Sequence, residues 1–367
     1  MPSYVKCHLC PTTIRTDRKT GLCVTCYNNQ RHLDKPAVQI AADREQQRIV
    51  AEMSGLRRKY QESLKTIAQH EKELSVLGAL GSGVSTFAIT PKHGSGTSEA
   101  TPVILASDWH TEEVVTLAQT SGLNEFNEDI CKERVTKFFQ SSLRLVDLLH
   151  QDVKISQVVL ALLGDFITGH LHEEAAETNG ALPVHAVINA QNLLISGLEF
   201  LLNHSEYSYV LPCKVGNHSR TTKKVRFSTE NGHSYEHLMY VNLAAYFRNE
   251  PRMKFLIEDG YHQYMDIYGN LLRLHHGHAI NYQGGVGGIT IPANKAIAQW
   301  NQGRTATLDA FGHFHTAFDG GTFVANGSLI GYNSYAVSIK ARCEPPKQQL
   351  FLIDKRRSKT CVWPVFV

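Results

Sequence analysis

The 367-residue chain has no run of about 18 uncharged apolar residues, so no membrane span is expected. Its opening, MPSYVKCHLC, lacks the apolar stretch of a secretory leader, and a reducing cytoplasm is the expected compartment. Charge of one sign is also missing, since 37 Lys and Arg face 34 Asp and Glu. The balance is uneven along the chain: residues 1–80 hold 13 basic against 8 acidic side chains, and the rest 24 against 26. A mildly basic front end suits a phosphate-bearing partner without requiring one. Cysteine is scarce after the first 26 residues, which hold four of the eight; Cys131, Cys213, Cys343 and Cys361 read as scattered structural thiols. What the chain has in quantity is histidine, with 19 residues, many beside glycine or in His-X-His order.

Residues 7–26 read CHLCPTTIRTDRKTGLCVTC. Cys7 and Cys10 form one Cys-X2-Cys pair and Cys23 and Cys26 a second, twelve residues on. Four thiolates on two tight knuckles suit one tetrahedral structural Zn²⁺, and disulfides are the weaker alternative in a reducing compartment. Arg15, Arg18 and Lys19 between the knuckles either touch nucleic-acid phosphates or form a solvated loop. From about residue 37 to 80 the chain is charged and free of proline, with Met53, Tyr60, Ile67 and Leu74 seven residues apart. That spacing predicts a long amphipathic helix, either a coiled coil that makes the protein a homo-oligomer or a helix folded onto its own domain. Small polar and glycine-rich segments at 81–83 and 92–102 end it, with a short strand expected at 86–90. The expected division is therefore a zinc ribbon at 1–35, the helix at 36–81 and a catalytic domain at 82–367.

Beyond residue 100, apolar runs at 103–106, 158–163, 209–215, 271–274 and 306–311 read as strands, and 125–150 and 186–202 as helices. The alternation predicts an α/β layered domain. Each run is followed by chemistry: VILASDWH, VVLALLGD, YVLPCKVGNH, NLLRLHHGH and ATLDAFGHFH. Singly, these residues have ordinary explanations as turn, cap or surface groups. Five in succession place carboxylates, imidazoles and an amide at one sheet edge, where α/β sheets bind ligands. Two divalent metals need one shared carboxylate with oxygen and imidazole donors on either side. On an extended segment, Asp108 and His110 would point to the same side and grip one metal.

The order Asp108-Trp-His110, Gly164-Asp165, Gly216-Asn217-His218, His276 and Gly312-His313-Phe-His315 resembles the calcineurin-like metallophosphoesterases, over about residues 100–330. The resemblance implies a β-sandwich flanked by helices with a dinuclear site at the strand ends. It implies Asp108, His110 and His315 on one metal, Asn217, His276 and His313 on the other, and Asp165 bridging them. His218 would contact the scissile phosphate and protonate the leaving oxygen as the catalytic residue. His275, His276 and His278 compete for the fourth motif: His276 is favoured as ligand, His278 as a substrate contact or support, and His275 as structural or outward-facing. Mn²⁺ is the first expectation for this donor set, with Fe and Zn as alternatives. The two cations would activate a water that attacks phosphorus in line.

Arg220, Lys223 and Lys224 follow Gly-Asn-His, and with Arg226 they could neutralise phosphates beside the cut. The glycine-rich QGGVGG at 283–288 reads as a lid, a turn or a weak phosphate cradle. Ribbon, helix and phosphoesterase domain in this order also look like metallophosphoesterases of bacteriophage genomes, which would place the protein in a host-cell cytoplasm. The expected activity is a nuclease cleaving DNA or other nucleic-acid phosphodiesters. The alternatives are a phosphatase or phosphodiesterase on small molecules, cyclic nucleotides or phosphoproteins, and a non-catalytic nucleic-acid-binding scaffold. One departure stands out. The family usually follows Gly-Asn-His with an acid, and this chain has Ser219.

Overall fold

A computed structural model of the chain describes residues 4–6, 8, 10–11, 13–15, 23–33, 37–82, 98–282 and 288–367. Cys7, Arg18, Lys19, the strand expected at 86–90 and residues 283–287 lie outside them, as does the Arg15 side chain. The chain divides into two compact units, Met1–Pro91 and Lys92–Val367, each described by itself. No helix among the described residues is long and apolar enough to cross a membrane.

In the first unit, β1 (Tyr4–Lys6) and β2 (Thr13–Arg15) pair antiparallel, and α1 (Val24–Leu33) follows. The predicted long helix is present as α2 (Ala37–Ser82). Its heptad residues Met53, Tyr60, Ile67 and Leu74 are all at least half exposed. Arg48–Glu52 and Arg58–Glu62 pairs stitch successive turns, each adding only a few tenths of a kcal/mol, about 0.2–0.5.

The second unit holds β3 (Ala100–Ala106), α3 (Glu128–His150), β4 (Gln157–Leu162), α4 (Glu173–Thr178), α5 (Pro183–His204), β5 (Ser208–Cys213), α6 (Tyr235–Tyr246) and β6 (Met253–Ile257). It continues with β7 (Gln263–Ile267), β8 (Asn270–Leu274), α7 (Thr290–Trp300), β9 (Leu308–Phe311), β10 (Phe318–Asp319), β11 (Phe323–Ala325), α8 (Ser334–Ser338), β12 (Lys347–Asp354) and β13 (Ser358–Phe366). One sheet runs β13-β12-β3-β4-β5-β6, with β3 to β6 parallel; the other runs β10-β11-β9-β8-β7. The fold is α/β, two facing sheets flanked by helices, as the resemblance implies.

The apolar runs explain both layers. Within β3, Val103 and Leu105 join Val159, Ala161, Leu272, Leu274 and Ala310 between the sheets. Ile104 and Ala106 turn the other way, with Leu160 and Leu162, towards Phe138 and Phe139 of α3 and Leu194 and Leu198 of α5. A strand covered on both faces must be apolar throughout, so its sequence shows no alternation. Each such side chain contributes about 1.5–3 kcal/mol. Helix α3 begins three residues later than the expected 125, because Asn127 caps it, accepting from the Ile130 N–H at 3.0 Å. The strands expected at 209–215 and 306–311 are shorter, ending at Cys213 and starting at Leu308. β6, β7, β12 and β13 add to the strands expected from sequence. β7 and β8 are joined by Tyr268 and Gly269, both at positive φ, the geometry of a two-residue hairpin turn. β13 accepts Pro364 because it is an edge strand.

Register sets the edge on which the chemistry falls. Ala106 pairs with Leu162 and Leu162 with Cys213, so the chains leaving β3, β4 and β5 emerge side by side. In the second sheet, Leu274 pairs with Ala310. Every family motif begins within five residues of one of these five strand ends.

Candidate metal centre

The loops leaving the strands are sewn together by their backbones. Asp108 N–H donates to Gly164 O at 3.0 Å, Trp109 and His110 N–H to Asp165 O at 2.9 and 3.2 Å, and Thr111 N–H to Phe166 O at 3.0 Å. Gly312 N–H donates to His276 O at 2.8 Å, and Leu329 N–H to Asp108 O at 3.0 Å. Gly164 and Gly216 meet back to back: a Cβ on Gly164 would lie 2.2 Å from Gly216 N, and one on Gly216 would lie 2.0 Å from Asp165 Oδ1. No larger residue fits either position. The extended Asp-X-His expected from sequence is corrected. Asp108 (φ 56°) and His110 (φ 50°) are left-handed, as are Asp165, His313 and His315, while Trp109 between the first two is wholly buried. Five such non-glycine residues, each costing about 1–3 kcal/mol, need a surrounding structure that over-determines them.

Two trios of donors result. Asp108, His110 and His315 form one, from the ends of β3 and β9; Asp165, His276 and His313 form the other, from β4, β8 and β9. Within each, the donor atoms lie within 4.8 Å of one another. The His313 N–H donates to both Asp108 oxygens at 3.0 Å, tying one trio to the other. His110 Nε2 lies 3.2 Å from His315 Nε2, which is 3.3 Å from Asp108 Oδ1. His276 Nε2 lies 2.7 Å from Asp165 Oδ2. Asn217 lies at the end of β5 with its buried Oδ1 unpartnered.

These residues fit divalent cations by a test independent of the motifs. His276 donates Nδ1–H to Leu163 O at 2.7 Å, and His110 Nδ1 meets Thr168 Oγ1 at 2.9 Å. Thr168 Oγ1 in turn lies 3.2 Å from Glu113 Oε2, whose other oxygen accepts from Asn333 Nδ2 at 2.8 Å. With Nδ1 occupied on both rings, Nε2 is the atom turned into each trio, the arrangement a histidine ligand needs. Burial lowers the His110 pKa well below its ordinary value, with His218 adding to the effect. His313 is likewise pushed to about 3 by burial, then by His276. Both stay neutral, as ligands must. Burial alone would lower His276, but the Asp165 carboxylate overrides it and raises the pKa to about 10. At pH 7 that ring holds a proton which a cation must displace. Loading with Mn²⁺ is therefore expected to release at least one proton per chain, and affinity should weaken about tenfold for each unit the pH falls. Calorimetry in buffers of different ionisation heat measures this; buffer-independent heats would contradict it.

The two trios bring together Asp108, His110 and His315, and Asp165, His276 and His313, six of the seven residues the resemblance implies as ligands. The chain resembles the calcineurin-like metallophosphoesterases in the order of its strand-end motifs. Its fold is similar to a hypothetical protein from Pyrococcus horikoshii, at 11% identity over 72% of this chain and 88% of that one, TM-score 0.35. A predicted phosphoesterase from Streptococcus pneumoniae matches at 11% identity over 72% and 98%, TM-score 0.26. Vacuolar protein sorting 29 from Cryptosporidium parvum matches at 14% identity over 72% and 97%, TM-score 0.30. No family model matches the chain, and no curated protein does.

The remaining predicted residues divide. His218 donates its backbone N–H to Asp165 Oδ1 at 2.8 Å, and its Nδ1 lies 3.1 Å from Thr168 O. Its ring centre is 4.9 Å from that of His110. Ser219 is fully buried and bonds Ser234 Oγ at 2.8 Å, at the start of α6. Glu236, two residues further on, accepts the N–H groups of Phe166 at 2.6 Å and Gly216 at 2.8 Å. It clamps the loops that carry Asp165 and Asn217, and no motif announced it. His275 is not outward-facing: it is fully buried, stacked on Phe311 with ring centres 5.0 Å apart, beside Asp309. His278 stands 5.6 Å from His276, ring centre to ring centre. Arg220 donates to Asn217 O, while Lys223 and Lys224 are exposed on the loop. In the first unit, Cys10, Cys23 and Cys26 bring their sulfurs within 4.8 Å of one another, a set compatible with zinc.

Proposed function

We propose that this chain is a dinuclear metal-dependent phosphodiesterase acting on nucleic acid, with DNA as the first substrate to test. The observation that supports it most is the pair of trios joined by His313, with Asn217 in a cleft it shares with Arg220 and Arg226. Asp108, His110 and His315 would hold one cation and Asn217, His276 and His313 the other, with Asp165 between them. Bound cations would polarise phosphoryl oxygens and acidify a water molecule. The protein's own share is position: left-handed turns aim the donors, and Glu236 fixes the two loops they stand on. His218 is presented by Asp165 and Thr168 towards the reacting phosphate, where it serves as proton donor to the leaving oxygen. A structural zinc on Cys7, Cys10, Cys23 and Cys26, and a cytoplasmic setting, complete the proposal.

The test incubates the full chain with Mn²⁺ and labelled single- and double-stranded DNA, RNA, a cyclic dinucleotide and an aryl phosphodiester. Cleavage of DNA that weakens steeply between 50 and 200 mM salt, by the logic of about one counterion released per phosphate contact, supports the reading. Turnover confined to the cyclic or aryl substrates favours the small-molecule alternative. The exposed heptad stripe of α2 is proposed to pair two copies. Light scattering is then expected to return twice the chain mass, falling to one when Tyr60 and Ile67 are both changed to Glu.

A further inference from the structure

A cleft beside the second trio is lined by Asn217, Arg220, Arg226, Glu230, His233 and His278, among others. It concentrates unsatisfied chemistry. Among the described residues, Asn217 Oδ1, Arg220 Nε and both His278 ring nitrogens are buried without a hydrogen-bond partner, while Glu230 is ion-paired with the buried Lys214 at 3.7 Å. A fold leaves few such atoms unless a ligand or water meets them. Asn217 is accounted for by the metal site and Glu230 by Lys214; Arg220 Nε and the His278 ring are not.

Above the cleft stands an aromatic stack. Phe227 lies face-on against His278, centres 5.5 Å apart at 24°, and edge-on to Tyr261 at 5.6 Å. Tyr261 Oη accepts the N–H groups of Gly277 and Ala279 at 3.1 and 3.0 Å, so the stack is anchored to the loop that follows His276. Phe227 is 50% exposed. It follows Arg226 directly, on the loop that also carries Arg220, Lys223 and Lys224. A half-exposed aromatic ring among cations, next to candidate metal ligands, is how proteins hold single nucleotides: rings stack on the base and cations meet the backbone.

We propose that Phe227, backed by His278 and Tyr261, is the stacking platform for the base of the nucleotide flanking the scissile phosphate, and that Arg220 and Arg226 meet the phosphate beyond it. This rests on the phosphodiesterase reading above. It adds that the substrate enters with one base out of its stack, so single-stranded ends and frayed duplexes are preferred over intact duplex.

The experiment uses the Mn²⁺-loaded full chain and calorimetric binding of two probes: the hydrolysis-resistant phosphorothioate dinucleotide d(ApA), and ribose 5-phosphate, which has no base. Phe227→Ala and Phe227→Leu are expected to weaken dinucleotide binding about 5- to 150-fold, the range for losing one stacked base. Phe227→Trp should restore it, and ribose 5-phosphate should bind all four proteins alike. Leu keeps the apolar bulk, so a loss seen with Ala alone would point to packing and overturn the proposal. Equal dinucleotide affinity across the series overturns it too. Hydrolysis of an aryl phosphodiester by wild type, measured alongside, separates the two readings: turnover with no effect of Phe227 on dinucleotide binding removes the subsite and leaves the phosphodiesterase standing. No turnover by wild type removes the foundation.

Discussion

Asp165→Ala is expected to abolish hydrolysis of every phosphodiester the wild type cleaves, by about 10³-fold or more, and to remove bound divalent metal. The magnitude follows from losing several kcal/mol of transition-state stabilisation, at about 1.36 kcal/mol per tenfold. Asp165 ties the ends of three strands together. One oxygen lies 2.7 Å from His276 Nε2, and the other accepts the His218 backbone N–H at 2.8 Å. Burial raises its pKa and His276 lowers it, with the net result well below the ordinary carboxylate range. It is therefore charged at every working pH. Asp165→Asn is the sharper variant, because it keeps the shape and an acceptor for His218 and removes only the charge. Metal analysis and rates should place Asn beside Ala. An Asn variant that holds metal and turns over like wild type would mean that charge at this position is not what the centre needs.

His218→Ala is expected to cut turnover by about 10²–10⁴-fold, the usual worth of a positioned proton donor, with metal content unchanged. Its ring belongs to neither trio, although it stands against His110 at 4.9 Å between centres. The missing acid at Ser219 does not leave the ring adrift. Thr168 O holds Nδ1, and a neutral carbonyl orients the imidazole without the full charge a carboxylate would bring. The deficit should shrink for substrates whose leaving group needs no proton, such as an aryl phosphodiester with an acidic phenol. Equal deficits on both substrate types, or loss of metal, would show His218 working through the ligands instead.

How much of this was legible in the sequence depended on whether the signal was local. Strand-end motifs were, because Asp, His and Asn are ordinary metal donors and here each follows an apolar run that ends at the sheet edge. Register then did the rest, bringing the ends of β3, β4 and β5 together. Glu236 was not legible: it sits in the first turn of α6, where an acid is ordinary, and only its bonds to Phe166 and Gly216 reveal its task. The backbone of the Asp108–His110 segment was misread as extended, since nothing in Asp-Trp-His signals left-handed turns at both ends. The strands β12 and β13 escaped for another reason. β12 opens with polar residues, yet Gln348 is fully buried, its Oε1 accepting Ser107 N–H and Asn326 Nδ2, both at 3.0 Å.

The left-handed backbone at Asp108, His110, Asp165, His313 and His315 bears on how this chain would change if its task were lifted. At such positions glycine or asparagine is the easier occupant. Asp and His tolerate such backbone better than most residues but less readily than glycine, and burial of carboxylates and imidazoles adds a second disadvantage. A descendant released from metal chemistry would gain stability by giving them up. The same five positions are where a designer seeking a hardier, inert scaffold should begin.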